Sequence, residues 1–311
     1  MHDTRPLAIA LMGPTASGKT ALAIEWAKHL QTEIISVDSA LVYRGMDIGS
    51  AKPSAEEQCG IPHHLIDIRD PSQAYNAADF AKDALPQMDR LSRQNKIPLL
   101  VGGTGLYFRA LLNGLSDMPA ADEEIRVVIQ AQAEVQGWPA MHEKLEQVDP
   151  AAGIRIKPND AQRITRALEV FQKTGTPITE WQKNSVRKKF PYRVLKICIA
   201  PNERAVLHDR IARRFDLMLE QGFMAEMRNL MTNGPLHNDL PSMRAVGYRQ
   251  AWRHLSGETS TEQFREETIA ATRQLAKRQL TWFRGELDLR WFDPQIDKTG
   301  LENALSLFIT R

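Results

Sequence analysis

At 311 residues the chain is long enough for one large domain, or for one domain that carries a smaller one. Its 42% hydrophobic and 25% charged residues are ordinary globular proportions and exclude a disordered chain as the starting point. A net charge of +2 hints only weakly at a polyanionic partner, and the two cysteines, Cys59 and Cys198, lie far apart at no metal-ligand spacing, which excludes a disulfide framework and a zinc finger.

The first apolar run, Leu7-Ala8-Ile9-Ala10-Leu11-Met12, is too short to span a membrane and lacks a cationic leader and a cleavage site. The expectation is a cytoplasmic protein with no membrane partner. The run reads instead as a buried strand, followed by a glycine turn and a helix over residues 20–30. A second strand covers residues 33–37 and ends at Asp38; a third covers 64–68. Residues 76–93 read as a helix that Asn76 can cap. Another buried strand, 98–101, leads into Gly102-Gly103-Thr104-Gly105 and a helix from Leu106. Alternation of this kind, with uninterrupted apolar strands, implies a parallel sheet covered on both faces.

Strand signals then stop. Residues 120–137 and 137–148 read as helices. Asn159 or Asp160 can cap a third over 161–173, with Ile164, Leu168 and Phe171 as its apolar stripe. A basic connector, Arg187-Lys188-Lys189, leads to a returning strand at 194–200. Residues 208–230 and 261–284 read as helices, with 241–249 as a loop opening another. The expected architecture is a P-loop α/β core from residues 1–120 and 194–311, with a parallel sheet flanked by helices. A small all-α domain is inserted at 121–193.

Gly13-Pro14-Thr15-Ala16-Ser17-Gly18-Lys19-Thr20 fits G-x-x-x-x-G-K-[ST], and it follows a buried strand and opens a helix, the context that motif requires. Successive N–H groups of such a loop point into one concavity, the helix N-terminus adds positive charge, Lys19 supplies a full charge and Thr20 a hydroxyl for Mg²⁺. This is a site for a di- or triphosphate. The usual partner in a nucleotidase is an acid after a later strand, but here the 98–101 strand runs into Gly-Gly-Thr. The acid stands after the second strand instead, as Asp38. Strand ends beside the loop face the ligand crevice, so a carboxylate there can take a proton from a nucleophile. It can equally cap the next segment. Thr104 can bond a ligand's polar edge or cap the helix that follows. Arg163 and Arg166 on one helix, and Arg273, Lys277 and Arg284 on another, form basic faces. Such faces suit a nucleic-acid backbone, although each alone is also what a solvated face looks like.

These motifs occur in a characteristic order. After the loop come Ser36-Val37-Asp38-Ser39-Ala40, Val42 through Gly49, Ala51-Lys52-Pro53 and Pro62 through Ile68. They are followed by Gly102 through Tyr107, Asn159-Asp160 with Gln162-Arg163, Arg244 through Gln250, and Thr272 through Gln279. Together they resemble the bacterial tRNA dimethylallyltransferases, also called tRNA isopentenyltransferases, over nearly the whole chain. The departures are small. Asn76 stands where the family often has serine, Ala245 where it often has cysteine, and Leu41 where it often has glutamine. No zinc-finger tail is present.

The resemblance implies transfer of a dimethylallyl group from dimethylallyl pyrophosphate to the exocyclic amine of the adenosine 3′ of the anticodon in tRNA, with Mg²⁺ as cofactor. It implies Asp38 as general base and Thr104 beside the reacting centre. Gly13, Thr15, Ala16, Ser17, Gly18, Lys19 and Thr20 would hold the pyrophosphate, with Arg214 as a further candidate. The anticodon stem-loop would be met by Asp38, Ser39, Ala40, Leu41 and Thr104. Arg126, Gln162, Arg163, Ile164, Thr165 and Arg166 would join from the insert, and Arg244, Tyr248, Arg249, Lys277, Arg278, Gln279 and Arg284 from the C-terminal part. A monomer is expected. The competing classes are a small-molecule kinase, which shares the loop, and an RNA-binding switch that uses nucleotide for control.

Overall fold

The computed structural model describes residues 3–114, 118–184 and 189–310. The elements in chain order are β1 (Leu7–Met12), α1 (Lys19–His29), β2 (Ile34–Val37), β3 (His63–His64), α2 (Ala77–Arg93), β4 (Leu99–Gly102) and α3 (Gly105–Asn113). Then come α4 (Glu123–Gln136), α5 (Trp138–Val148), α6 (Pro150–Arg155), α7 (Ala161–Thr174) and α8 (Ile178–Lys183). The last group is β5 (Arg193–Ile199), α9 (Arg204–Glu220), α10 (Phe223–Asn233), α11 (Tyr248–Leu255), α12 (Thr261–Arg284), β6 (Arg290–Phe292) and α13 (Lys298–Ile309).

The chain divides into two compact units, one formed by Met1–Leu112 with Phe190–Arg311 and the other by Asn113–Lys189. The first contains a six-stranded sheet in the order β3-β2-β4-β1-β5-β6, parallel throughout. β1 is central, with Leu11 level with Val101 of β4 and Ile197 of β5. The pleat sends alternate residues to opposite faces. Ala8, Ala10 and Met12 enter one apolar layer with Phe80, Phe108, Phe215 and Phe283, whereas Ile9 and Leu11 enter another with Trp26, Leu301 and Leu305. Strand order reverses at β1, so the crevice at its carboxyl end is where such a sheet receives a ligand.

The second unit is all helical. Ile129, Met141, Leu145, Ile164 and Leu168 form its core. Asp122, Asp149 and Asp160 accept N–H groups in the first turns of α4, α6 and α7. This unit ends before residue 190, earlier than the strand pattern implied, because Tyr192 donates to Asp89 at 2.7 Å and Arg5 donates to the Phe190 carbonyl at 3.1 Å, both within the sheet unit. Of the basic connector, Arg187 and Lys188 lie outside the described residues.

Several local expectations are corrected. The third strand shrinks to His63–His64, because Leu65 and Asp67 take φ of 62° and 55°, a left-handed backbone that cannot continue a ladder. The expected helix over 208–230 is two helices, broken where Gly222 adopts φ 99°. The short helices α6 and α8, the edge strand β6 and the terminal helix α13 add to the expected elements. Helix α2 starts after Asn76, whose side chain accepts from Ala78 and Asp79 while Asp79 reaches back to the Asn76 N–H.

Candidate active site

The P-loop leaves β1 at Gly13 and enters α1 at Lys19. Ala16 has φ 62° and Gly18 φ 91°, so the backbone turns twice through the left-handed region within three residues. Left-handed turns of this kind are the backbone conformation from which anion-binding loops are built. For Gly18 that conformation is free; for Ala16 it is strained and must be held by its surroundings. The Ser17 N–H donates to the Pro14 carbonyl at 3.3 Å, and the Lys19 ammonium donates to the same carbonyl at 3.3 Å. The Ser17 hydroxyl is buried and, among the described residues, has no hydrogen-bond partner. Thr20 is exposed on the first turn of α1.

Burial lowers the Lys19 pKa to about 8; Asp38 pulls it up, Arg214 pushes it further down, and Cys198 draws it slightly up. Burial also lowers the Arg214 pKa, opposed by Asp38 and Glu57. Lys19, Arg214 and Asp38 therefore share one electrostatic neighbourhood. The Cys198 thiol is no counter-ion, since burial lifts its pKa to about 12. Lys19 and Arg214 share Asp38, with Glu57 acting on Arg214, and two cations brought together in a partly desolvated crevice suit a bound anion.

Asp38 follows β2 and Thr104 follows β4, at neighbouring strand ends. One Asp38 oxygen, Oδ1, accepts the Ala40 N–H at 2.9 Å; among the described residues Oδ2 has no hydrogen-bond partner. The local turn and a free basic oxygen thus coexist. The Thr104 hydroxyl accepts the Ser39 N–H at 3.2 Å and the Thr104 N–H donates to the Val37 carbonyl at 3.3 Å, so the two strand-end turns are stitched together. Among the described residues the hydroxyl makes no capping bond to α3, and its own O–H remains available to a ligand.

The loop after Asp38 is held by Glu226, which sequence reasoning passed over, and by Lys52, which it met only as part of a motif. Glu226 of α10 accepts the N–H groups of Asp47, Ile48 and Gly49 at 2.9, 2.7 and 3.1 Å, and the Tyr248 hydroxyl at 2.6 Å. Lys52, almost fully buried, donates to the Tyr43 carbonyl at 2.7 Å and pairs with Asp47 at 2.6 Å and with Asp67.

The family model described as IPP transferase matches residues 41–286. The chain belongs to the IPP transferase family. It is 58% identical to a tRNA dimethylallyltransferase of Stenotrophomonas maltophilia (strain R551-3) over 316 residues, covering 99% of both chains. To its counterpart from Xanthomonas oryzae pv. oryzae (strain MAFF 311018) it is 57% identical over 312 residues, covering 99% of this chain and 95% of that one. Among solved structures it resembles the full-length tRNA isopentenylpyrophosphate transferase of Bacillus halodurans, with TM-score 0.71, 40% identity, and 98% and 96% of the two chains covered. It also resembles a eukaryotic dimethylallyltransferase captured acting on tRNA, with TM-score 0.81, 25% identity, and 96% and 78% covered.

In this IPP transferase the residues expected to meet RNA fall into two groups. Ser39, Gln162, Arg163, Arg244, Arg249, Lys277, Arg278 and Arg284 are exposed, and Ala40, Leu41 and Thr165 are partly so. Five others are committed elsewhere. The Tyr248 side chain is fully buried against Phe223 and Glu226. Ile164 is fully buried in the helical core. Arg126 and Arg166 both pair with Glu169, at 3.0 and 2.8 Å, and Arg166 also donates to the Pro119 carbonyl at 2.7 Å. Glu169 is fully buried, and a carboxylate there requires these cations. Gln279 turns inward and its Oε1 accepts the Thr15 N–H at 2.8 Å. This division has a cause: on a helix, neighbours in sequence point in different directions.

Proposed function

We propose that this chain transfers the dimethylallyl group of dimethylallyl pyrophosphate to the N6 amine of the adenosine 3′-adjacent to the anticodon of tRNA, releasing pyrophosphate. The observation that carries this reading is the grouping of Lys19 and Arg214 with an Asp38 that keeps one oxygen free. The similarity to tRNA dimethylallyltransferases, among them one that acts on tRNA in a solved structure, agrees with it.

The exocyclic amine is a weak nucleophile, because its lone pair is delocalised into the purine. The adenine must leave its stack and enter the crevice. As N6 bonds to the allylic C1, the C1–O bond breaks and the electron pair departs on pyrophosphate. Asp38 Oδ2 takes the N6 proton. Lys19, Arg214 and the P-loop N–H groups receive the negative charge as it develops. Thr104 keeps the Asp38 turn in register with β4, which holds the base against the leaving-group site.

Magnesium fits these residues. Mg²⁺ takes hard oxygen ligands and retains most of its waters, so one or two protein oxygens are enough. Thr20 offers an exposed hydroxyl at the loop, and among the described residues there is no three-carboxylate or histidine cage that would imply a separate metal centre. When bound, the ion would neutralise charge on the pyrophosphate.

The test is incubation with labelled dimethylallyl pyrophosphate, unmodified tRNA and Mg²⁺. Label in RNA at the adenosine beside the anticodon is the expected result. Phosphoryl transfer from ATP without RNA, or binding without transfer, would refute the reading in favour of a kinase or an RNA switch.

A further inference from the structure

Gln279 sits on α12 between two very different surfaces. The preceding residues, Lys277 and Arg278, are exposed and cationic. Gln279 itself is half-buried and reaches the opposite way, to the phosphate loop, where its Oε1 accepts the Thr15 N–H at 2.8 Å. That contact fixes the orientation of the amide and directs Nε2 at the Gly102-Gly103-Thr104 turn. A Cβ on Gly103 would lie 2.3 Å from Gln279 Nε2 and 3.3 Å from the Gly13 carbonyl, so any larger residue there would push the amide out of this position. One side chain thus touches both the loop that receives the leaving group and the turn that carries Thr104.

The point of attachment matters. Thr15 directly precedes Ala16, whose φ of 62° is strained for a residue with a Cβ. Such a conformation persists only when its neighbours impose it. The other hydrogen bonds around it, from Ser17 and Lys19 to Pro14, are internal to the loop and move with it. Among the described residues, Gln279 supplies the only side-chain hydrogen bond to the loop backbone from outside the loop.

We infer that Gln279 is a positioning residue that holds the P-loop in its anion-receiving shape from the RNA-facing helix, so that RNA docked on α12 and pyrophosphate in the loop bind with coupled affinities. Phosphates that engage Lys277 and Arg278 restrain the helix at the residues adjoining the tether. Linkage makes the effect reciprocal: whatever RNA adds to pyrophosphate affinity, pyrophosphate adds to RNA affinity. The inference rests on the reading of the loop as the diphosphate site and of α12 as an RNA face.

The experiment measures inorganic pyrophosphate binding with Mg²⁺ by titration calorimetry. Wild type and Q279M are compared with and without an anticodon stem-loop RNA. Methionine keeps the length and volume of glutamine but neither accepts nor donates a conventional hydrogen bond. The expected result in wild type is that RNA tightens pyrophosphate binding by at least about fivefold. In Q279M alone, pyrophosphate affinity should fall by roughly three- to tenfold, the effect of one hydrogen bond, with RNA affinity within about twofold of wild type. The RNA-dependent gain should shrink below about twofold. Q279M that binds pyrophosphate as wild type does, or that keeps the full gain, overturns the inference and leaves the site reading intact. Wild type that binds no pyrophosphate overturns the site reading, and the tether with it. Should Q279M fail to fold, amide exchange in wild type decides. RNA should slow exchange across residues 13–20, and unchanged exchange there refutes the coupling.

Discussion

Replacing Lys19 with arginine separates the charge at the P-loop from its protonation. Burial has brought the Lys19 pKa down to about 8, so roughly nine in ten free molecules carry the charge at pH 7 and about one in ten at pH 9. The sign follows from linkage. An anion binds the charged form, so binding at pH 9 must also bind a proton, and apparent affinity falls as pH rises through the free-protein pKa. The slope approaches tenfold per pH unit above about 8 if Lys19 alone titrates, which would give close to a tenfold loss between pH 7 and 9. Arginine stays charged throughout that range. The assay is calorimetric binding of pyrophosphate with Mg²⁺ at several pH values from 6.5 to 9.5, for wild type and Lys19→Arg side by side. Ionisation of the ligand affects both proteins equally and cancels in the ratio. Wild type should therefore weaken relative to the variant as pH rises, even though arginine's bulk makes the variant weaker at pH 7. Parallel pH profiles for the two proteins would refute the reasoning and remove Lys19 from the anion site. Lys19→Met supplies a second readout: it deletes a desolvated charge that, among the described residues, forms no ion pair, so the apo protein should melt at a higher temperature while losing pyrophosphate affinity.

Asp38→Asn keeps the Oδ1 contact to the Ala40 N–H and removes the proton acceptor, so single-turnover prenyl transfer should fall by roughly 10²–10⁴ while both substrates still bind. A rate within tenfold of wild type would eliminate Asp38 as the base, and rescue by raised Mg²⁺ would make it a metal ligand. Arg163→Ala and Arg166→Ala should differ. Arg163 is exposed and should affect RNA affinity, lowering the salt slope by about 0.7–0.9 if it meets a phosphate. Arg166 pairs with the buried Glu169 and should lower the melting temperature, with a loss of about 1–3 kcal/mol because Arg126 still partners the acid. Equal melting temperatures for the two variants would contradict this division. Glu226→Ala orphans three backbone N–H groups and the buried Tyr248 hydroxyl, so it should destabilise by about 3 kcal/mol or more and increase amide exchange at residues 47–49. Protected amides at those positions in the variant would show that the loop holds itself.

The parts of this molecule legible in sequence are those in which a local pattern and a tertiary role coincide. β1 and β4 are unbroken apolar runs because both faces of the sheet are covered, and the P-loop announces itself because its glycines and lysine stand in one contiguous stretch between a buried strand and a helix. The place of Asp38 was legible because it follows an apolar strand directly. What stayed hidden depends on partners distant in sequence. Nothing local marks Glu226 as the acceptor for three amides almost 180 residues away. The short edge strand β6 carries no alternation to read. The pairing of Arg166 did have a signal: Glu169 lies between Leu168 and Val170 on the buried face of α7, and an acid there needs a cation at helical spacing. Gln279 had one too. It follows Ala276 by three residues and precedes Phe283 by four, and both of those are buried, so helical geometry assigns it to the inward face. Read as part of a basic run, Gln279 is one more surface residue. Read by its position on the helix, it is a polar amide pressed inward on a mainly apolar stripe, and it must find a backbone partner there. In this fold that partner is the phosphate loop, so the same helix that offers cations to solvent also holds the shape of the site beneath it.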